Sequence, residues 1–224
     1  MSIQIFFYAL MLTSVPKIEV SERSFDFGYS IIGMEYAHNF WIYNRGDEVL
    51  NIKKLRVFCN CSVGSIAKRQ IAPGDSSRFE FIFSSLGFQD ERVKWGYIYS
   101  NDPQDSLIKL NITIRLYGDY SQIPFKVEPK RLNFGSLSAT NPSVTLSLKN
   151  RANQSYNLRL IEFPKALQQP NFTSTVLEPG EELELKFFVK KGIHDPELLK
   201  RSITFEAYTS TEVSRFSVPL MASN

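Results

Sequence analysis

Two cysteines separated by one residue, Cys59-Asn60-Cys61, form the one constellation of chemical promise in this 224-residue chain, and they are its only cysteines. On an extended strand, positions i and i+2 project to the same face, so both sulfurs would point together. Thiolates placed so can hold a soft cation such as Cu(I), or cycle between dithiol and disulfide. Each chemistry asks for more than the pair supplies. Two thiolates fall short of a closed zinc site. A disulfide between i and i+2 needs a strained turn, because strand Cα atoms two apart sit near the limit of bridging geometry. The plainer reading is two small, half-buried side chains beside a turn. It is preferred, because a lone pair lacks the spacing that makes metal motifs specific.

The remaining chemistry-bearing residues are sparse. His38 enters the Phe40–Tyr43 segment and His194 precedes Asp195-Pro196; neither has zinc-ligand spacing, and each reads as a satisfied strand or surface histidine. No Ser sits in a Gly-x-Ser-x-Gly context, no Gly-rich loop opens a helix, and no acidic pair has a supporting motif. The chain therefore reads as a non-enzyme, without catalytic residues and without a required cofactor. Trp41 and Tyr43 lie on the face opposite Phe40 and Ile42, which makes them a candidate contact surface, since Trp and Tyr bury large area at low entropic cost. Trp95, Tyr97 and Tyr99 share one face of a later strand. One face of each strand must look inward, which assigns most of these aromatics to the core.

The elements that would position these residues are strands. Ile108, Leu110, Ile112, Ile114 and Leu116 alternate with Lys109, Asn111, Thr113 and Arg115, a period-two pattern that a helix cannot bury on one side. Val144-Thr-Leu146-Ser-Leu148 and Leu183-Glu-Leu185-Lys-Phe187 repeat it. Chain reversals are marked by Asn44-Arg-Gly46-Asp47, Pro73-Gly74-Asp75, Asn101-Asp-Pro103 and Pro179-Gly180-Glu181. Pro then Gly suits the two central positions of a type II turn, where Gly accepts positive φ. The longest helical candidate, Asp195–Arg201, allows one turn or two.

The pattern also repeats. Phe25-Asp-Phe27-Gly28 recurs as Leu132-Asn-Phe134-Gly135, an offset of 107. Asn44-Arg45 recurs as Asn150-Arg151, and Ile71-Ala-Pro73-Gly74 as Leu177-Glu-Pro179-Gly180, both at 106. Ordered landmarks at one spacing indicate a duplicated unit of about 104 residues. Short strands with turns every 8–12 residues indicate sandwiches. The expected fold is all-β: two tandem immunoglobulin-like β-sandwich domains, residues 17–120 and 121–224, after an apolar segment at 1–16.

Phe25-x-Phe27-Gly28, Gly33, His38-x-Phe40, Asn44-x-Gly46-Asp47, Cys59-x-Cys61, Ile71-x-Pro73-Gly74 and Ser100-Asn101-Asp102-Pro103, in that order, resemble the bacterial "domain of unknown function 1573" over roughly residues 17–118. That family is immunoglobulin-like and related to Hydin-type and major-sperm-protein-like modules. The second copy resembles a divergent member, with Ala152 in place of Gly46 and no cysteine pair. The resemblance implies an immunoglobulin-like fold in bacterial proteins that are often exported, and it implies no reaction.

Ile3–Leu12 is an apolar run interrupted only by Gln4. It is shorter than the roughly 20 residues of a membrane span and suits the core of a secretory signal, although no Lys or Arg precedes it. Export to the periplasm, envelope or medium is the expectation, with membrane association through this segment as an alternative. The formal charge of +3, with basic residues scattered among acids, leaves no phosphate-tracking stripe and argues against nucleic acid. These readings describe a non-catalytic exported module acting through protein–protein contacts, with no evident small-molecule substrate. Two rivals stand beside it: a Cu(I)- or thiol-handling protein using Cys59 and Cys61, and an extrinsic subunit of a membrane-associated complex.

Overall fold

The structure, a computed structural model, describes residues 14–58 and 60–223. Ile3–Leu12 and Cys59 lie outside those residues. Among the described residues the strands are β1 (Ile18–Val20), β2 (Ser24–Ile31), β3 (Glu35–Asn44), β4 (Leu50–Val57), β5 (Ser62–Ile66), β6 (Gln70–Ile71), β7 (Ser76–Ser84), β8 (Asp90–Ser100) and β9 (Leu107–Tyr117). They continue as β10 (Phe125–Glu128), β11 (Leu132–Ser136), β12 (Ser143–Asn150), β13 (Tyr156–Glu162), β14 (Ser174–Leu177), β15 (Glu182–Phe188), β16 (Ser202–Tyr208) and β17 (Val213–Ser223). One 3-10 turn, Pro196–Leu199, falls inside the short helical candidate at Asp195–Arg201.

Period-two alternation builds the sandwich. In β7, Phe79, Phe81 and Phe83 are fully buried, whereas the alternating Arg78, Glu80 and Ile82 are not. The apolar face of β9, Ile108 to Leu116, is buried as its alternation requires. A four-stranded sheet in the order β1-β3-β7-β5 stacks on the β2-β9-β8-β4 portion of a long sheet, enclosing one core rich in Phe and Ile. A three-stranded sheet, β10-β12-β15, stacks on the β14-β13-β16-β17 portion and encloses the other core. The fold is all-β with immunoglobulin-like sandwich packing.

The long sheet is continuous through both halves. Its junction is a parallel contact of β17 with β2, where Phe216 lies opposite Tyr29. The segment Gly118–Pro124, around the expected boundary at residue 120, is packed. Tyr120 and Ile123 are buried in the second core, and the Tyr120 hydroxyl donates to the Ser217 carbonyl at 2.6 Å.

The strand at Trp95 differs from expectation. Gly96 faces inward, where a Cβ would lie 3.0 Å from the Phe81 ring. The rings of β7 thus fill the space under β8, and the opposite face of that strand carries Trp95, Tyr97 and Tyr99 outward. These aromatics are not core residues.

Candidate functional site

Three regions bring chemistry-bearing side chains together. The first is the end of β4. Cys61 is disulfide-bonded, and its Sγ lies 3.9 Å from the Ser62 hydroxyl at the start of β5. An oxidised sulfur is neither a nucleophile nor a soft-metal ligand until it is reduced. Residues 121–224 contain no cysteine.

The second region is the outer face of β4, β8 and β9. Arg56 lies opposite Tyr97 and Lys54 opposite Tyr99, and Lys109 and Leu107 oppose the same two tyrosines from the other side. Phe58, 64% exposed, meets Tyr97 edge-on at 4.9 Å. The Lys109 ammonium sits 3.6 Å from the Trp95 ring centroid, a distance at which the ring quadrupole attracts a cation. Lys54, Arg56 and Lys109 make no ion pair among the described residues. The result is an aromatic platform edged by uncompensated positive charge. Alternation revealed that Trp95, Tyr97 and Tyr99 share a face; which way that face looks depended on Gly96 and the rings opposite it.

The third region is where the two halves meet. His38 is buried, stacked on Phe25 at 3.8 Å, and held between Glu162 at 2.7 Å and Glu22 at 3.0 Å. Burial works against a charged ring, but the hydrogen bonds and charges of Glu162 and Glu22 outweigh it and hold the His38 pKa above its ordinary value. Glu162 belongs to the second half, 124 residues away in sequence. A second inter-half pair joins Arg201 to Glu80 at 3.0 Å. Deeper in the junction, the Ser217 hydroxyl donates to the Phe27 carbonyl at 2.7 Å. Beside these pairs runs a cleft lined from one side by Asn39, Arg78 and Glu80 and from the other by Lys165, Arg201 and Ser202.

The other residues singled out from the sequence lie apart from these regions or shape the turns. Trp41 and Tyr43 are half-buried on the outer side of β3; the Lys165 ammonium lies 5.3 Å over Trp41, and the Arg45 guanidinium 4.6 Å over Tyr43. His194 is exposed, in the loop before the 3-10 turn. Gly74 and Gly180 take φ of +75° and +79°, and the turns close through Asp75 N–H to Ala72 O and Glu181 N–H to Glu178 O. Pro73 and Pro179 precede them as the type II pattern requires. The Asn44 amide donates to the carbonyls of Glu48 and Ile71 while its Oδ1 accepts from Gly46 N–H. Asn150 does the same with Gln154, Leu177 and Ala152. Gly28 and Gly135 share a positive φ, of +67° and +64°.

Residues 18–115 match the family described as "Protein of unknown function (DUF1573)". The matched segment holds the turn after β4 that bears Cys61 and the aromatic platform, whereas the cleft lies between that segment and the second half of the chain. No curated protein matched the chain. Among solved structures, a Porphyromonas gingivalis W83 protein of unknown function is 11% identical, with 92% of this chain and 99% of that chain covered and a TM-score of 0.34. The E. coli chaperone DraB is 12% identical, over 92% of this chain and 97% of that one, at 0.34. The ASH/PapD-like domain 7 of human CEP192 is 8% identical, over 54% and 99%, at 0.36.

Proposed function

We propose that the chain is a non-catalytic, exported binding module built of two tandem sandwiches, 17–120 and 121–224, and that it docks an acidic, extended segment of a partner protein on the outer face of β4, β8 and β9. The observation that carries this reading is the platform itself: Trp95 and Phe58 exposed beside a half-buried Tyr97, and edged by Lys54, Arg56 and Lys109. Aromatic rings supply apolar contact area and the flanking cations select negative charge. The strand edge alongside supports an extended partner. β4 pairs with β6 only at Leu50 and Asn51, so among the described residues Lys53–Val57 has a strand neighbour on the β8 side alone, and a peptide can add there by main-chain hydrogen bonds. A disulfide at Cys61 supports an oxidising compartment. The matching bonds of Asn44 and Asn150 support the duplication.

The test is a titration of the full chain with two synthetic peptides of equal apolar content, one rich in Asp and Glu and one in Lys, read by Trp fluorescence. Saturable binding of the acidic peptide, weakened by salt and abolished by Lys54→Glu with Arg56→Glu, is expected. Equal binding of both peptides, or indifference to the charge reversal, would remove the reading.

A second reading rests on the Cys61 disulfide, namely a thiol–disulfide or Cu(I)-handling role for Cys59 and Cys61. It requires that reduction release thiolates able to compete for Cu(I), and competition unchanged in Cys61→Ser would dismiss it.

A further inference from the structure

Among the described residues, two buried side-chain oxygens lack a hydrogen-bond partner, Asn39 Oδ1 and Ser202 Oγ. Native proteins satisfy nearly all buried polar groups, so each exception calls for a cause. Both exceptions line one cleft, the one at the junction of the two halves. Ser202 is fully buried in β16, and its register opposite Pro219 fixes it there. Asn39 comes from β3, on the other wall.

The charges in the cleft are unevenly paired. Glu80 is bound to Arg201, and Glu162 to His38. Arg78 and Lys165 make no ion pair among the described residues; Lys165 has only the Trp41 ring beneath it. The unmet groups are therefore a guanidinium, an ammonium, a hydroxyl that can donate, and a carboxamide that can present its NH2 by rotating about its terminal bond. That set asks for an anionic acceptor. Glu80 and Glu162 stand close by, and their repulsion falls more heavily on a dianion than on a monoanion. Ala166, Ile193 and Leu198 add an apolar portion to the lining. A planar, singly charged head on a short apolar tail meets all of these conditions, and the fork of Arg78 suits a carboxylate.

We propose that this cleft binds a small monocarboxylate with a short aliphatic tail, with Arg78 and Lys165 supplying the charge and Ser202 and Asn39 the neutral hydrogen bonds. The cleft is separate from the aromatic platform, and binding at one does not require binding at the other.

Butyrate is the probe and butyramide its uncharged isostere, titrated into the full chain at pH 7 and followed by backbone amide shifts in NMR. Saturable shifts confined to residues lining the cleft are expected for butyrate and not for butyramide. Arg78→Gln and Ser202→Ala, each verified as folded by its unshifted spectrum elsewhere, should each weaken binding about tenfold or more. Butyrate that fails to saturate, butyramide that binds equally, inorganic phosphate that binds more tightly, or an Arg78→Gln variant with unchanged affinity would each overturn the proposal. Bound water alone in the cleft would give the first of these results.

Discussion

A Cβ placed on Gly28 would lie 1.9 Å from the carbonyl oxygen of Arg215. The backbones of β2 and β17 touch at this point, and the long sheet passes from one half of the molecule to the other there. Gly135, which also follows a Phe, has a similar positive φ but nothing within 4 Å of such a Cβ. The same Phe-Gly pair is thus a contact at Gly28 and a free corner at Gly135.

Gly28→Ala and Gly135→Ala should separate conformational strain from collision. Both variants incur the penalty of a side chain at positive φ, about 1–2 kcal/mol. Only Gly28→Ala must also push β17 away, so its loss of stability in urea unfolding should exceed that of Gly135→Ala by about 2 kcal/mol or more. Equal losses would mean that the junction yields without cost.

The two asparagines should behave alike. Truncation to Ala removes two donated bonds at either position, with two accepted bonds at Asn44 and one at Asn150, and strands buried carbonyls at Ile71 or Leu177. Each should cost about 1–3 kcal/mol. Denaturant midpoints for the two single variants and the double variant would check this. A large effect at Asn44 with none at Asn150 would weaken the case for a duplicated unit.

His38 gives the junction a pH dependence. Its pKa is raised in the folded chain by Glu162 and Glu22, so the folded state favours the bound proton. That contribution is fully present below the unfolded value of about 6.5, and it is lost as the pH rises through the raised folded value. Urea midpoints measured between pH 5 and 9 should therefore fall through this window for the wild type. They should flatten in His38→Gln, which carries no proton to lose. A wild-type profile as flat as that of the variant would show that the ring is not charged in the fold.

The cysteine pair should be dispensable for folding. Residues 121–224 show the same strand alternation, in β12 and β15, and contain no cysteine. Cys59→Ser with Cys61→Ser is expected to cost under about 2 kcal/mol, with a melting curve unmoved by chelator. Collapse of the double variant would make sulfur chemistry structural and revive the metal reading.

The range of the forces involved decides how much of the molecule is legible in its residue order. Strand alternation in β7, β9 and β12, the Pro-Gly turns at 73–74 and 179–180, and the recurrence of Asn44 as Asn150 are local facts, set by φ preference and a period of two. Composition and spacing carry them without reference to anything distant. The residues that form the candidate sites are joined by no such period. His38 and Glu162 are 124 positions apart, and Glu80 and Arg201 are 121 apart; the packing of one half against the other brings them within hydrogen-bonding reach. The outward turn of Trp95 and Tyr97 has the same origin. Alternation places them on one face, but which face meets water was decided by the Phe79 and Phe81 rings, which fill the space beneath Gly96 from another sheet.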